Sequence, residues 1–328
     1  MSSDRPKHPW IGLVLRIGIS AAILLFLFTE HRFTSAILPK LGLLADNWRW
    51  TVVGIISAGV SAWLTAIRWW LLLKPQIPGV SCASVIRETF VSLFFNITSL
   101  GVAGGDAYKI IALGRRHPNH KLPVAMTVML DHIVGFFAVA VLFLACASLS
   151  AARWSGFGGK AQSVLGGFTW LLAGATLFLL LNIILCAPRM RAWGEPRLPW
   201  LLKRPHVQRM ADSFDGLRRH WRHTLLATVV SAVMTLLFFF SFYCGVRAVG
   251  GEAPVLDVMI AMPIVDMVAA LPISVSGLGV REKTFETLLT AFSSIPEATA
   301  ISASLAGWLF SLVWGLAGGL LFVGKQRP

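Results

Sequence analysis

Asp106, Lys109, Asp131, Asp266, Arg281 and Glu282 stand within, or directly after, apolar stretches of this 328-residue chain. An ionised group at membrane depth costs roughly 2.5–3.5 kcal/mol on insertion scales, and the cost is met by pairing, by lining water or by binding protons. Two of the stretches end in glycine-rich breaks. The first is Gly101-Val102-Ala103-Gly104-Gly105-Asp106, with Lys109 following at i+3. If a helix restarts there, Asp106 and Lys109 share one face. Gly104 and Gly105 would let the backbone approach a ligand, and free N–H groups at a helix start favour anionic groups. The plainer alternative is a cytoplasmic turn with Asp106 as a helix cap.

The second break is Ser274-Val275-Ser276-Gly277-Leu278-Gly279-Val280-Arg281-Glu282. Pro272 stops the preceding helix, and Gly277 and Gly279 supply backbone freedom. The planar fork of Arg281 suits phosphate. Glu282 would hold Arg281 in place or read a cationic headgroup; the alternative is an external loop with a local ion pair. Asp131, followed by His132, lies about two turns into an apolar run and could pair with Arg68 or Lys109. Asp266 could pair with Arg281. Both acids could equally be structural locks between helices. Arg68, followed by Trp69-Trp70 near the end of its run, reads as an interfacial anchor.

No other chemistry is encoded in a recognisable pattern. The chain has no G-x-S-x-G, no H-E-x-x-H and no P-loop. Ala103-Gly104-Gly105-Asp106 falls short of the G-x-G-D of intramembrane aspartyl proteases. His117 and His120 are a lone H-x-x-H in a proline-containing loop and read as solvated, so no metal is expected. Cys82, Cys146, Cys186 and Cys244 are far apart and read as small buried residues. The expectation is a protein that is not an enzyme and needs no cofactor.

The elements that must position these charges are membrane spans. Hydrophobic residues make up 56% of the chain and charged residues only 13%, with a mean hydropathy of +0.71; a soluble domain carries about 25% charged residues. The formal net charge of +14, spread over several loops without a nucleic-acid motif, points to anionic lipid headgroups at the cytoplasmic face and not to nucleic acid.

About 20 residues cross the hydrocarbon core. Six runs are long enough: Trp10–Phe28, Thr51–Leu73, Pro123–Ser148, Ser163–Ala187, Thr224–Val246 and Thr299–Val323. Val85–Leu100, and Val255–Ile273 followed by Lys283–Phe292, are suspect. The connector Pro188–His223 carries Arg189, Arg191, Arg197, Lys203, Arg204, Arg209, Arg218, Arg219 and Arg222, which places it in the cytoplasm. Counting outward from it puts Arg115, Arg116 and both termini in the cytoplasm as well, provided that neither suspect segment crosses. They are therefore expected to be re-entrant, one dipping from each side. Within the connector, Lys203–Trp221 has Val207, Met210, Phe214, Leu217 and Trp221 at helical spacing and reads as an amphipathic helix on the leaflet; Leu38–Trp48 is a shorter candidate outside.

The expected fold is an all-α polytopic membrane protein, a single domain over 1–328. About six transmembrane helices and two re-entrant segments form an inverted repeat, with halves at about 10–148 and 163–323. Inverted repeats with broken segments meeting near the midplane are a secondary-transporter architecture.

Ile67-Arg68-Trp69-Trp70, Gly104-Gly105-Asp106-Ala107 with Lys109, and Leu271-Pro272-Ile273-Ser274 leading into Gly277-Leu278-Gly279-Val280-Arg281-Glu282 resemble the lysylphosphatidylglycerol synthase transmembrane-region family. The resemblance covers nearly the whole chain. It implies translocation of a phospholipid or lipid-linked headgroup between leaflets, without the separate aminoacyl-transferring domain of the bifunctional members. Lys109 stands where arginine is usual in the family, and Asp131-His132 where a Glu-Arg pair is common. The translocation residues expected are Gly104, Gly105, Asp106, Lys109, Asp131, Asp266, Gly277, Gly279, Arg281 and Glu282. Two alternatives stay open: a secondary transporter of a soluble anionic or zwitterionic solute, and a non-transporting partner of a membrane lipid-modifying enzyme. The expected location is a bacterial-type inner (plasma) membrane, and nothing in the sequence sets an oligomeric state.

Overall fold

The computed structural model describes residues 33–98, 102–149, 159–185, 219–270 and 277–325 and the single position 208. The described residues form ten α-helices: α1 (Leu38–Asp46), α2 (Trp48–Leu73), α3 (Cys82–Thr98), α4 (Val102–Arg116), α5 (Lys121–Leu149), α6 (Gly159–Leu185), α7 (Trp221–Ala248), α8 (Val255–Ala269), α9 (Val280–Ser293) and α10 (Glu297–Lys325). The expected first span, Trp10–Phe28, and nearly all of the basic connector 188–223 lie outside the described residues.

Helix length sorts the elements physically. At 1.5 Å per residue, α2, α5, α7 and α10, with 26, 29, 28 and 29 residues, are each about 40 Å long, more than the roughly 30 Å hydrocarbon core. They are also apolar enough to cross a membrane. The 27 residues of α6 hold the expected span Ser163–Ala187 as far as Leu185. The suspect segments are shorter: α3, α4, α8 and α9 have 17, 15, 15 and 14 residues, about 21–26 Å each. None of these four reaches across the core alone.

The order long, short, short, long thus occurs twice, as α2–α5 and as α7–α10. Packing follows the same plan in both sets. Helix α3 folds back on α4 as α8 does on α9, and α4 returns against α5 as α9 does against α10. Helix α2 meets α3 and α5 as α7 meets α8 and α10. Between the sets, α2 runs along α7, α3 lies on α10 as α8 lies on α5, and α2 touches α10 as α7 touches α5. The main apolar core lies between the two sets, around Phe143, Phe239, Phe242, Phe285 and Phe310.

The first glycine-rich break is displaced from its expected place. Gly104, Gly105 and Asp106 are not broken backbone; they sit in the first turns of regular helix α4, and Lys109 follows in the same helix. Each helical glycine sacrifices about 1 kcal/mol relative to alanine. At Gly105 the reason is packing: an added Cβ would lie 2.0 Å from Asn96 Oδ1 and 2.6 Å from the Ser92 carbonyl oxygen. The Gly105 N–H donates to Asn96 Oδ1 at 3.0 Å. The glycine lets the two arms of the hairpin touch, and the expected cytoplasmic loop is instead the hairpin's returning arm.

Of the second break, Pro272 and residues 274–276 lie outside the described residues, and the part from Gly277 on keeps an irregular backbone. Gly277 and Gly279 have φ of +72° and +83°, which side-chain-bearing residues adopt only with strain. The Gly279 N–H donates to Glu282 Oε2 at 2.5 Å, so Glu282 satisfies a free donor at the start of α9. Leu38–Asp46, one of the amphipathic candidates, is helical, and Asn47 after it donates from Nδ2 to the Ala248 carbonyl oxygen at 3.0 Å.

Candidate functional site

Arg68 of α2 is buried in the bundle. Its Nε donates to Asp131 Oδ1 at 2.7 Å and its Nη2 to Asp131 Oδ2 at 2.9 Å. Its Nη1 donates to Ser231 Oγ of α7 at 2.9 Å. With side chains only 7% and 5% exposed, this is an ion pair closed on both sides, and it joins α2, α5 and α7. Burial on this scale overturns the reading of Arg68 as an interfacial anchor. The pairing of Asp131 with Arg68, and not with Lys109, resolves the alternatives left open by the sequence. Gly135, one turn beyond Asp131, makes the room: a Cβ there would sit 2.9 Å from Arg68 Nη1.

The ion pair lines a cavity of about 630 Å³. Its walls come from both helix sets. Ser61, Thr65 and Arg68 of α2 and Asp131, His132 and Phe136 of α5 face Thr235, Phe238 and Phe239 of α7, Asp266 and Met267 of α8, and Ser311 and Trp314 of α10. Several hydroxyls are already committed as donors. Ser61 Oγ donates to the Met234 carbonyl at 3.0 Å, Thr65 Oγ1 to the Ser61 carbonyl at 2.9 Å, and Ser311 Oγ to the Gly307 carbonyl at 3.4 Å. What they offer to the cavity is lone pairs. Trp314 is pinned by its Nε1–H, which donates to the Ile55 carbonyl at 2.8 Å. The result is a compartment with a few charged and hydroxyl groups in a largely aromatic and aliphatic wall, within the roughly 300–1,000 Å³ usual for small-molecule sites.

The other expected residues take distinct places. Asp106 reaches from α4 to His132 Nε2 at 2.6 Å, so it touches the cavity through one intermediary. Lys109 is buried, its Nζ 5.1 Å from the centre of the Trp69 ring, a cation–π contact. Arg281, on the helix packed against α8, is near enough to Asp266 for its charge to be felt there, at longer range than the pairing expected from the sequence. Glu282 is 2% exposed and is engaged inside its own segment and by Ser304 Oγ, 3.4 Å from Oε1. Gly277 shapes the turn against α8: a Cβ there would lie 2.7 Å from that of Ala269. The site therefore gathers Asp131 and Asp266 directly, Asp106 and Arg281 in support, and leaves Gly105, Lys109, Gly279 and Glu282 in the surrounding scaffold.

Sequence reasoning missed Ser61, Thr65, Ser231, Thr235 and Trp314. Hydroxyls in apolar runs are common fillers of helix contacts, and nothing in their spacing sets these apart. It also missed Glu88 of α3, fully buried, which accepts from Tyr108 OH at 2.6 Å and pairs with Arg116 at 2.6 Å. That cluster ties α3 to α4, with Phe95 stacked on Tyr108 at 4.8 Å. The sequence signal for Glu88 is a lone acid in an apolar segment, of the same kind as Asp131 and Asp266.

The family model described as Lysylphosphatidylglycerol synthase TM region matches residues 13–319. The chain is also similar to a UPF0104 membrane protein of Pyrococcus horikoshii. The two are 23% identical over 342 residues, which cover 96% of this chain and 97% of that protein. No solved structure matches the chain.

Proposed function

The chain belongs to the lysylphosphatidylglycerol synthase transmembrane-region family, and from that membership we propose that it moves a phospholipid or lipid-linked headgroup between the leaflets of its membrane. The observation that carries this reading is the cavity between the two helix sets, lined both by the charged Arg68, Asp131 and Asp266 and by the apolar Phe136, Phe238 and Phe239. An amphiphile joins the same two kinds of surface. A headgroup in the cavity would exchange its water for Arg68, Asp131, Asp266 and the lone pairs of Ser61 and Thr65. Its acyl chains would stay in lipid.

The repeated long–short–short–long order supports an inverted repeat in which the α3–α4 and α8–α9 hairpins are the re-entrant segments. Each hairpin arm is too short to span, and each turns back beside its partner. Two hairpins entering from opposite faces would let the cavity open to one leaflet at a time. Asp106 and His132 would sit at the mouth of the route, with Arg281 behind Asp266. The basic connector would hold the cytoplasmic face against anionic headgroups in a plasma membrane with both termini inside.

The test is leaflet exchange of labelled lipids in proteoliposomes, across a panel of anionic, zwitterionic and neutral headgroups. Exchange faster than in protein-free vesicles for at least one headgroup is expected. Equal rates for every lipid in the panel would end this reading.

A further inference from the structure

We propose that Asp266 is a proton-binding site, and that its proton uptake and release couple headgroup movement to a pH difference across the membrane. The coupling rests on the translocation reading above; the proton site itself does not.

The first observation is the contrast between Asp266 and the other buried or half-buried acids. Asp131 is held by two hydrogen bonds from Arg68. Asp106 is held by His132, Glu88 by Tyr108 and Arg116, Glu282 by the Gly279 N–H, Asp257 by Ser293 Oγ at 2.7 Å, and Glu286 is paired with Lys283 at 2.5 Å. Among the described residues Asp266 receives no hydrogen bond, yet its side chain lines the cavity. A carboxylate in that position has three ways to lower its free energy: water, a cation or a proton.

The second observation is what surrounds it. The lining of that cavity is largely aliphatic and aromatic, and its other carboxylate, Asp131, is taken up by the two hydrogen bonds from Arg68. A bound Ca²⁺ takes about 6–8 oxygen ligands, and Mg²⁺ asks for a near-ideal octahedron; one carboxylate supplies two oxygens. A proton needs one. The step is simple: the carboxylate takes a proton from water to give the neutral acid and returns it to water, with no other bond made or broken.

The third observation is that the ionised form stays within reach. On α9, the helix packed against α8, Arg281 is near enough for its positive charge to be felt at Asp266. From α5, Asp131 and His132 face the same cavity, and from α2, Arg68 does. Helix α7 contributes no ionisable group to the lining, and neither does α10. On α8 itself, Asp257 is engaged by Ser293. Arg68 and Asp131 neutralise each other and His132 is paired with Asp106, so the remaining cation that favours the charged acid is Arg281. The neutral acid is favoured when the cavity is dry, the ionised acid when it is wet. A group balanced in this way changes charge as a compartment opens and closes.

The test has two arms, on wild type, D266N and D266E in lipid nanodiscs and in proteoliposomes. Infrared difference spectra over a pH titration read the carbonyl stretch of a protonated carboxyl. A titrating band in wild type, absent in D266N and present in D266E, is expected; wild-type and D266N spectra that coincide would overturn the site. In vesicles, labelled-lipid exchange is followed with an imposed pH difference of either sign. A several-fold dependence on the gradient in wild type and D266E, and none in whatever exchange D266N retains, is expected. Gradient-independent exchange in wild type would overturn the coupling. Absence of all exchange sinks the translocation reading and the coupling with it, and the infrared arm then decides the proton site alone. Retained α-helical circular dichroism in D266N separates loss of the carboxyl from loss of the fold.

Discussion

Removing one member of the Arg68–Asp131 pair should harm the protein far more than removing both. The guanidinium makes two hydrogen bonds of 2.7 and 2.9 Å to one carboxylate, and both side chains are less than one-tenth exposed. Breaking a buried pair from one side leaves an uncompensated charge and costs about 3–5 kcal/mol, whereas replacing both with apolar residues of similar volume is often close to neutral. R68M and D131L are therefore each expected to lose about 3–5 kcal/mol, and R68M/D131L to lie within about 2 kcal/mol of wild type. The cycle gives a coupling energy of at least about 4 kcal/mol. The assay is reversible unfolding of the four proteins in one lipid environment, with S231A as an internal control. That variant loses a hydrogen bond to a charged group, worth about 1.5–3 kcal/mol. A double variant as unstable as the sum of its parents would refute the closed-pair reasoning, because it would mean the two side chains contribute independently.

G135A places a methyl 2.9 Å from Arg68 Nη1, so it should cost about 1–3 kcal/mol, and the loss should vanish in an R68M background. G105A drives a Cβ into Asn96 and the Ser92 backbone; it is expected to destabilise by a similar amount and to speed hydrogen exchange in α3 and α4 before the rest of the bundle. E282A removes the carboxylate that caps Gly279 and should cost about 0.5–2 kcal/mol, while E282Q, which still accepts a hydrogen bond, keeps most of the stability and of any lipid exchange. A complete loss of exchange in well-folded E282Q would show that the charge, and not the cap, is what matters there. D106N weakens the tie between α4 and His132; it should alter lipid exchange while leaving the melting temperature within a few degrees.

How much of this was legible in the sequence depends on the range of the interaction. Long apolar runs set α2, α5, α7 and α10 to within a few residues, because burial of backbone in lipid leaves helix as the open-ended choice. The Gly277–Gly279 turn was legible because positive φ has few substitutes for glycine. The Gly104–Gly105 pair read the same way and meant something else: there the missing side chain serves a helix contact, which depends on Asn96 in another helix. Arg68 was misread for the same reason. Its sequence neighbours, Trp69 and Trp70, suggest an interface, while its real partners lie 63 and 163 residues away. The pairing of two acids in one cavity could be suspected from their cost, but not placed.

The crossing of the hairpins has a consequence for how the molecule can be built. Helix α3 lies on α10, where a Cβ on Gly318 would be 1.9 Å from the Phe90 carbonyl oxygen and one on Gly315 would be 2.1 Å from Ile97 Cδ1. Helix α8 lies on α5 in turn. Each half therefore completes the other, in the manner of two clasped hands. Neither can mature ahead of its partner, and a ribosome that has finished only α2–α5 has produced an arm with nothing to grip. Two separately translated halves should be degraded alone and rescued together, so the shortest unit on which selection can act is the whole clasp.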